Sequence, residues 1–206
     1  MKRGKYTILI LVITASIIVF LLLNLLLGSV SIPFASVWNI LTGGEGDPVA
    51  WQNIILKSRL PQALTALVAG AGLSISGLQM QTIFRNPLAG PSVLGISSGA
   101  SLGVAFVVLL SGQLGGVALS RLGFIGEVAL SIAAIAGALS VMGLIVLASR
   151  KVAGSVTLLI IGVMIGYIAN AVIGVLKFFS VEEDIKAYVI WGLGSFARVS
   201  GNQMML

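Results

Sequence analysis

The chain has 206 residues, 58% hydrophobic and only 9% charged, with a mean hydropathy of +1.13. Soluble domains carry roughly 25% charged residues, so this composition excludes a water-soluble globule and requires a bilayer as solvent for most of the surface. The formal charge is +6, with no histidine and no cysteine, which excludes a disulfide framework, a Cys/His metal centre and any side chain with an ordinary pKa near neutrality.

About 20 apolar residues at 1.5 Å each cross a hydrocarbon core of roughly 30 Å, and several segments meet that length. The first span is expected at 6–27, behind the basic start Met1-Lys2-Arg3-Gly4-Lys5. Its apolar run exceeds the 7–15 residues of a signal-peptide core, so it reads as an uncleaved helix. Residues 28–60 form a loop with Pro33, a Gly43–Pro48 turn cluster, and Trp38 and Trp51, tryptophans of the kind that flank spans at the interface. A short interfacial helix is expected at 53–60. Pro61 then suits the first turn of the next helix, where its missing N–H does no harm.

The second span is expected at 62–84 and the third at 92–110, with Ser92 as candidate N-cap. Between them lie Arg85-Asn86-Pro87 and Pro91, residues that break helices. After a Gly-rich connection (112–126), the fourth span is expected at 125–149 and the fifth at 152–175. The loop Lys177–Lys186 with Glu182, Glu183 and Asp184 follows, and then a segment too short and broken to span. The fold class is therefore all-α, a polytopic membrane helical bundle with about five transmembrane helices and a cytoplasmic N-terminus. With that orientation the inside holds Lys2, Arg3, Lys5, Arg85, Arg150 and Lys151 and no acid. Lys57, Arg59, Arg121, Lys177, Lys186 and Arg198 lie outside with every acid. The basic residues tie, but the inside loops are shorter and therefore denser in positive charge.

Small residues recur at four-residue steps: Gly95, Gly99 and Gly103 in the third span, and Gly162, Gly166 and Gly174 in the fifth, where Asn170 fills the gap. Such stripes let helices approach closely. Asn170 needs a partner helix or a water-filled path.

Several chemistries are excluded. Gly95-Ile96-Ser97-Ser98-Gly99 matches the serine-hydrolase pattern, but there is no histidine to serve it. Walker-type phosphate loops are absent, and the one acid inside an expected span, Glu127, stands at the outer end of the fourth, so no carboxylates are placed for a proton relay through the membrane. Basic runs interleaved with aromatics are missing too, so no nucleic acid is expected as partner. The chain reads as a non-enzyme without cofactor or metal, fitted to transport or scaffolding.

Arg59-Leu60-Pro61, the run Ser76–Ser101 (SGLQMQTIFRNPLAGPSVLGISSGAS) and Trp191–Phe196 (WGLGSF) resemble the FecCD/BtuC-type permease family. These are membrane subunits of type II ABC importers for iron–siderophore complexes, haem or cobalamin. The resemblance implies about ten helices, so the chain, as one permease domain over 1–206, corresponds to the N-terminal part. The partners implied are a second permease subunit (homo- or heterodimer), ABC ATPase subunits that hydrolyse the ATP, an extracytoplasmic substrate-binding protein and the lipid bilayer. The location implied is a bacterial or archaeal cell (inner) membrane. Arg59 is then the docking residue for the binding protein. Gly162, Gly166, Asn170 and Gly174 border the translocation path, and 181–206, with Trp191, Gly192 and Gly194, forms the gate segment. Arg85, Asn86, Pro87, Leu88, Ala89, Pro91 and Gly95 make the family-motif turn. Two positions depart from the family pattern: Gln62 stands where a second basic residue is frequent, and Gly90 where an acid is frequent. A truncated, transport-inactive membrane fragment or scaffold is the alternative.

Overall fold

In a computed structural model, which describes residues 2–111, 124–152, 154–196 and Val199, four helices are long and apolar enough to cross a membrane. They are Gly4–Leu26, Val49–Phe84, Ile125–Ser149 and Val156–Phe179; Ile96–Leu110 is a shorter apolar helix. The helices are α1 (Lys2–Leu26), α2 (Phe34–Leu41), α3 (Val49–Ile54), α4 (Leu60–Phe84), α5 (Ile96–Ser111), α6 (Phe124–Ser149), α7 (Ser155–Phe179) and α8 (Glu182–Gly192). The described residues are helical or connecting, with no strand among them. Hydroxyls within the spans donate to their own helix: Ser16 to Val12 O (2.8 Å), Thr82 to Leu78 O (2.7 Å) and Ser140 to Ala136 O (2.8 Å). Hydrocarbon offers these groups no other partner.

The chain divides into two compact units, one holding the described residues through Ala71 and from Ser195 on, the other Gly72–Gly194. In the first, Leu25 at the end of α1 packs with Ile32, Val37, Ile40 and Ile55. In the second, α5 lies in the middle. Val104, Ala105 and Leu109 are wholly buried and pack with Val108, Ile173 and Tyr188. A second cluster joins Phe84, Ala89, Leu94, Val141 and Ile145.

Three boundaries differ from expectation. The expected break at Pro61 does not occur: α3 runs through a π turn (Ile55–Arg59) into α4, and the Leu60 N–H bonds to Ile55 O. Proline inside a helix lacks a donor and crowds the carbonyl four residues back, and the wider π turn before it makes room for both. The third span begins as a 3-10 turn (Pro91–Leu94), and α5 starts only at Ile96. Ser92 lies inside that turn instead of capping the helix. The fifth span is shifted to Ser155–Phe179, so Lys177 is in its last turn, and the acids of the expected loop open α8. Glu182, Glu183 and Asp184 there meet the positive end of the helix dipole. Arg121, Arg198, nearly all of the Gly-rich connection and much of 197–206 lie outside the described residues.

Candidate functional site

The turn after α4 is built from backbone hydrogen bonds. Arg85 has φ +49°, the one non-glycine with positive φ among the described residues. Its N–H reaches Thr82 O (3.4 Å), and the Asn86 N–H reaches Gln81 O (3.2 Å). This is a Schellman ending with arginine where glycine is usual. Asn86 Oδ1 then accepts the Leu88 N–H (2.9 Å), and Asn86 O accepts the Ala89 N–H (3.1 Å), with Pro87 setting φ between them. Ala89 is buried, whereas Leu88 projects, 86% exposed. Pro91 opens the 3-10 turn, and Gly95 closes it at φ +72°, with its carbonyl accepting the Gly99 N–H (2.9 Å) to start α5. The Arg85–Gly95 motif is thus a turn and a helix restart.

The glycine stripe of α5 is divided between two neighbours. A β-carbon on Gly95 would lie 2.6 Å from Gly162 O and 3.0 Å from Gly166 N, both on α7. Gly99 and Gly103 face α6 at Gly137 and Ala133. Gly137, which the sequence analysis did not single out, is therefore the close-approach residue of α6. Its signal is the four-residue step Ala133–Gly137–Val141. On α7 the expected stripe splits. Gly162 and Gly166 are buried against Leu94, Gly95 and Ser98, whereas Asn170 and Gly174 are exposed, with nothing within 4 Å of a β-carbon on Gly174. A four-residue step gains ~40° on the 3.6-residue turn, so Gly174 has rotated away from the face of Gly162.

At the far end of α7, Ser180 Oγ lies 3.1 Å from Leu109 O and 2.6 Å from Leu176 O, which ties the α7–α8 elbow to α5. Lys177 Nζ sits 4.7 Å from the centroid of the Tyr188 ring. Tyr188 is buried and hydrogen-bonds Ser101. One turn before it, Asp184 is 8% exposed and its Oδ2 has no hydrogen-bond partner among the described residues. Burial pushes its carboxyl above the ordinary range, and the neighbouring Glu183 carboxylate adds to the rise. Trp191 is half-buried against the α5 cluster. Gly192 ends α8 exposed, and Gly194 (φ +63°) closes it with an N–H to Trp191 O (3.1 Å).

Arg59 is buried, 7% exposed. Nη1 donates to Leu25 O (2.7 Å) and Leu26 O (3.1 Å), and Nη2 donates to Val30 O. The last carbonyls of a helix have no partner within it, and a cation there also meets the negative end of the dipole. Arg59 therefore caps α1 from the elbow before α4. A β-carbon on Gly28 would lie 2.5 Å from Nη2, so this glycine leaves space for the guanidinium.

Long apolar helices with self-satisfied hydroxyls, interlocked through glycine, define a multi-pass all-α membrane bundle. The chain belongs to the FecCD transport family, whose model matches residues 16–206. It is 32% identical over 181 residues to the hemin transport system permease protein HmuU of Yersinia pestis, covering 87% of this chain and 51% of that one. It is 41% identical over 149 residues to a probable iron chelatin transport system permease protein of Helicobacter pylori (71% and 41% covered). Over 163 residues it is 36% identical to the vitamin B12 import system permease protein BtuC of Salmonella paratyphi A (79% and 45% covered). A solved metal-chelate type ABC transporter in an inward-facing conformation superposes with a TM-score of 0.75 at 27% identity, covering 97% of this chain and 57% of that one. The chain thus spans about half the length of the relatives it matches.

Proposed function

We propose that the chain forms part of the permease subunit of a type II ABC importer, on the path for an iron–siderophore or a related metal chelate. The observation that carries this reading is the family match across residues 16–206. Its relatives are named for haem, iron chelatin and vitamin B12, all large metal chelates. ATP hydrolysis falls to separate ATPase subunits. The other partners are a second permease subunit and an extracytoplasmic binding protein, in a bacterial or archaeal cell (inner) membrane with the N-terminus cytoplasmic.

Within this reading we place the path at Asn170 and Gly174, the exposed members of the α7 stripe, and the gate at α8 with Trp191, Gly192 and Gly194. Gly162 and Gly166 serve it by holding α7 on α5. The guanidinium of Arg59 is engaged with the Leu25, Leu26 and Val30 carbonyls, so its part in binding-protein docking is to fix the rim. The Arg85–Gly95 turn lies on the cytoplasmic side.

Residues 1–206 contain no cysteine, so Asn170→Cys or Gly174→Cys introduces a thiol whose labelling is read against the unsubstituted importer treated in parallel. A membrane-impermeant thiol reagent is expected to react at both positions, and labelled ferric siderophore, haem or cobalamin to accumulate in cells lacking their own permease. Labelling only by lipid-soluble reagents removes the path assignment.

A further inference from the structure

We infer that the recess between α2 and the Gly43–Pro48 turn seats the ammonium headgroup of a zwitterionic lipid. Between Lys5 and Lys57 the chain has no lysine or arginine, and its only charges are Glu45 and Asp47. Helix α2 contains no charge and has two apolar faces. Val37 and Ile40 are buried with Leu25, Ile32 and Ile55. Phe34 and Trp38, one turn apart, face outward, 56% and 61% exposed. With Ala35, Ser36, Asn39 and Asp47 these two aromatics line an open recess of about 570 Å³.

The carboxylate in that recess is held in place. Asn39 Nδ2 donates to Asp47 Oδ2 (2.7 Å) and also reaches Glu45 O (3.2 Å), while Gln52 Nε2 donates to Asp47 O (3.2 Å). A fixed carboxylate beside two aromatic rings attracts a cation, by charge and through the ring faces. The level at which the recess lies selects the source of that cation. α2 packs on Leu25 in the last turn of α1, a span whose Val19, Phe20 and Leu23 are exposed. That packing places α2 at the end of the span, the level where headgroups begin and tryptophan is favoured. A cation presented at that level is a lipid ammonium group, such as that of phosphatidylethanolamine. Headgroups that offer only negative charge are repelled by Glu45 and Asp47. The inference requires that α1 span the bilayer and is independent of the transport reading.

The test uses the full chain with Trp51→Phe and Trp191→Phe, which leaves Trp38 as the only tryptophan. The protein is placed in phosphatidylglycerol nanodiscs doped with acyl-brominated phosphatidylethanolamine or acyl-brominated phosphatidylglycerol. Trp38 emission is expected to be quenched at least threefold more per mole by the ethanolamine lipid. Asp47→Asn should equalise the two lipids while both still quench, and Asp47→Glu should restore the preference, which separates loss of charge from loss of the turn. Equal quenching in the unmodified recess, or a preference that survives Asp47→Asn, overturns the inference. Quenching by aqueous iodide in place of lipid, or protection from all three quenchers, also overturns it, the last by indicating a protein cover.

Discussion

The carbonyl oxygen of Gly99 occupies the place where a β-carbon of Gly137 would lie, and Gly137 O in turn stands 2.7 Å from the position of a Gly99 β-carbon. Helices α5 and α6 meet there backbone to backbone, so Gly137→Ala must push them apart. Overpacking of this kind costs about 1–3 kcal/mol. Gly143→Ala, on the same helix with nothing within 4 Å, is expected to be neutral or to gain up to about 1 kcal/mol from helix propensity. Unfolding of the two variants in detergent, followed by circular dichroism, compares them, and equal midpoints would remove the contact from the energetics.

Much of this contact was legible in the sequence and part was not. The stripe Gly95–Gly99–Gly103 announced a close approach because only small side chains admit one. Its neighbours were hidden, because a stripe names a face and not the helix that meets it. Gly137 does not stand out in the sequence, because Ala133 and Val141 flank it at the same spacing and alanine is common in any span. Pro61 misled for a different reason: proline is usual at helix starts, and the sequence has no sign for a π turn that lets one pass. In the sequence Arg59 reads as an outside cation for docking, whereas burial and three carbonyl partners are properties of the folded elbow alone.

Arg59→Ala is expected to leave the Leu25, Leu26 and Val30 carbonyls without their charged donor. Hydrogen bonds to charged groups contribute about 1.5–3 kcal/mol each, though not additively, so a loss of about 3 kcal/mol is anticipated. Arg59→Lys should recover only part of it, since an ammonium lacks the planar fork that reaches several carbonyls. Protease sensitivity in the Leu26–Ile32 segment reports the effect, and unchanged cleavage in both variants would refute the clamp.

Asp184 gives a stability difference that depends on pH. Its folded carboxyl is raised by burial and by Glu183, so the folded chain holds the proton more tightly than the unfolded chain. Stability from this group is fully present below the unfolded carboxylate range and is lost as pH rises through the folded pKa. Asp184→Asn should therefore unfold at higher temperature than the parent at pH 7, and the gap should narrow as pH falls and vanish only below the unfolded carboxylate range, about pH 4. A gap of the same size at both pH values would show that the unpaired carboxylate is not its source.

Arg85 holds a left-handed backbone that costs an L side chain roughly 1–2 kcal/mol. Arg85→Gly removes that cost but adds unfolded-chain freedom of roughly 0.5–1 kcal/mol, for a net gain of about 0.5 kcal/mol. Arg85→Ala keeps the β-carbon and should gain nothing. Thermal midpoints of the pair decide the matter; a gain in both would place the effect in the removed charge.

The Arg59 clamp also has a mechanical side. Within its unit, α1 is buried only towards its end, around Leu25, while residues such as Ile8, Leu11 and Ile18 are exposed. A 25-residue rod is ~37 Å long at 1.5 Å per residue, and it is fastened near one tip. A change of ~10° at that fastening would carry the opposite tip by ~6 Å. The angle of the whole rod is thereby set by a fork of two nitrogens and the glycine that makes room for it.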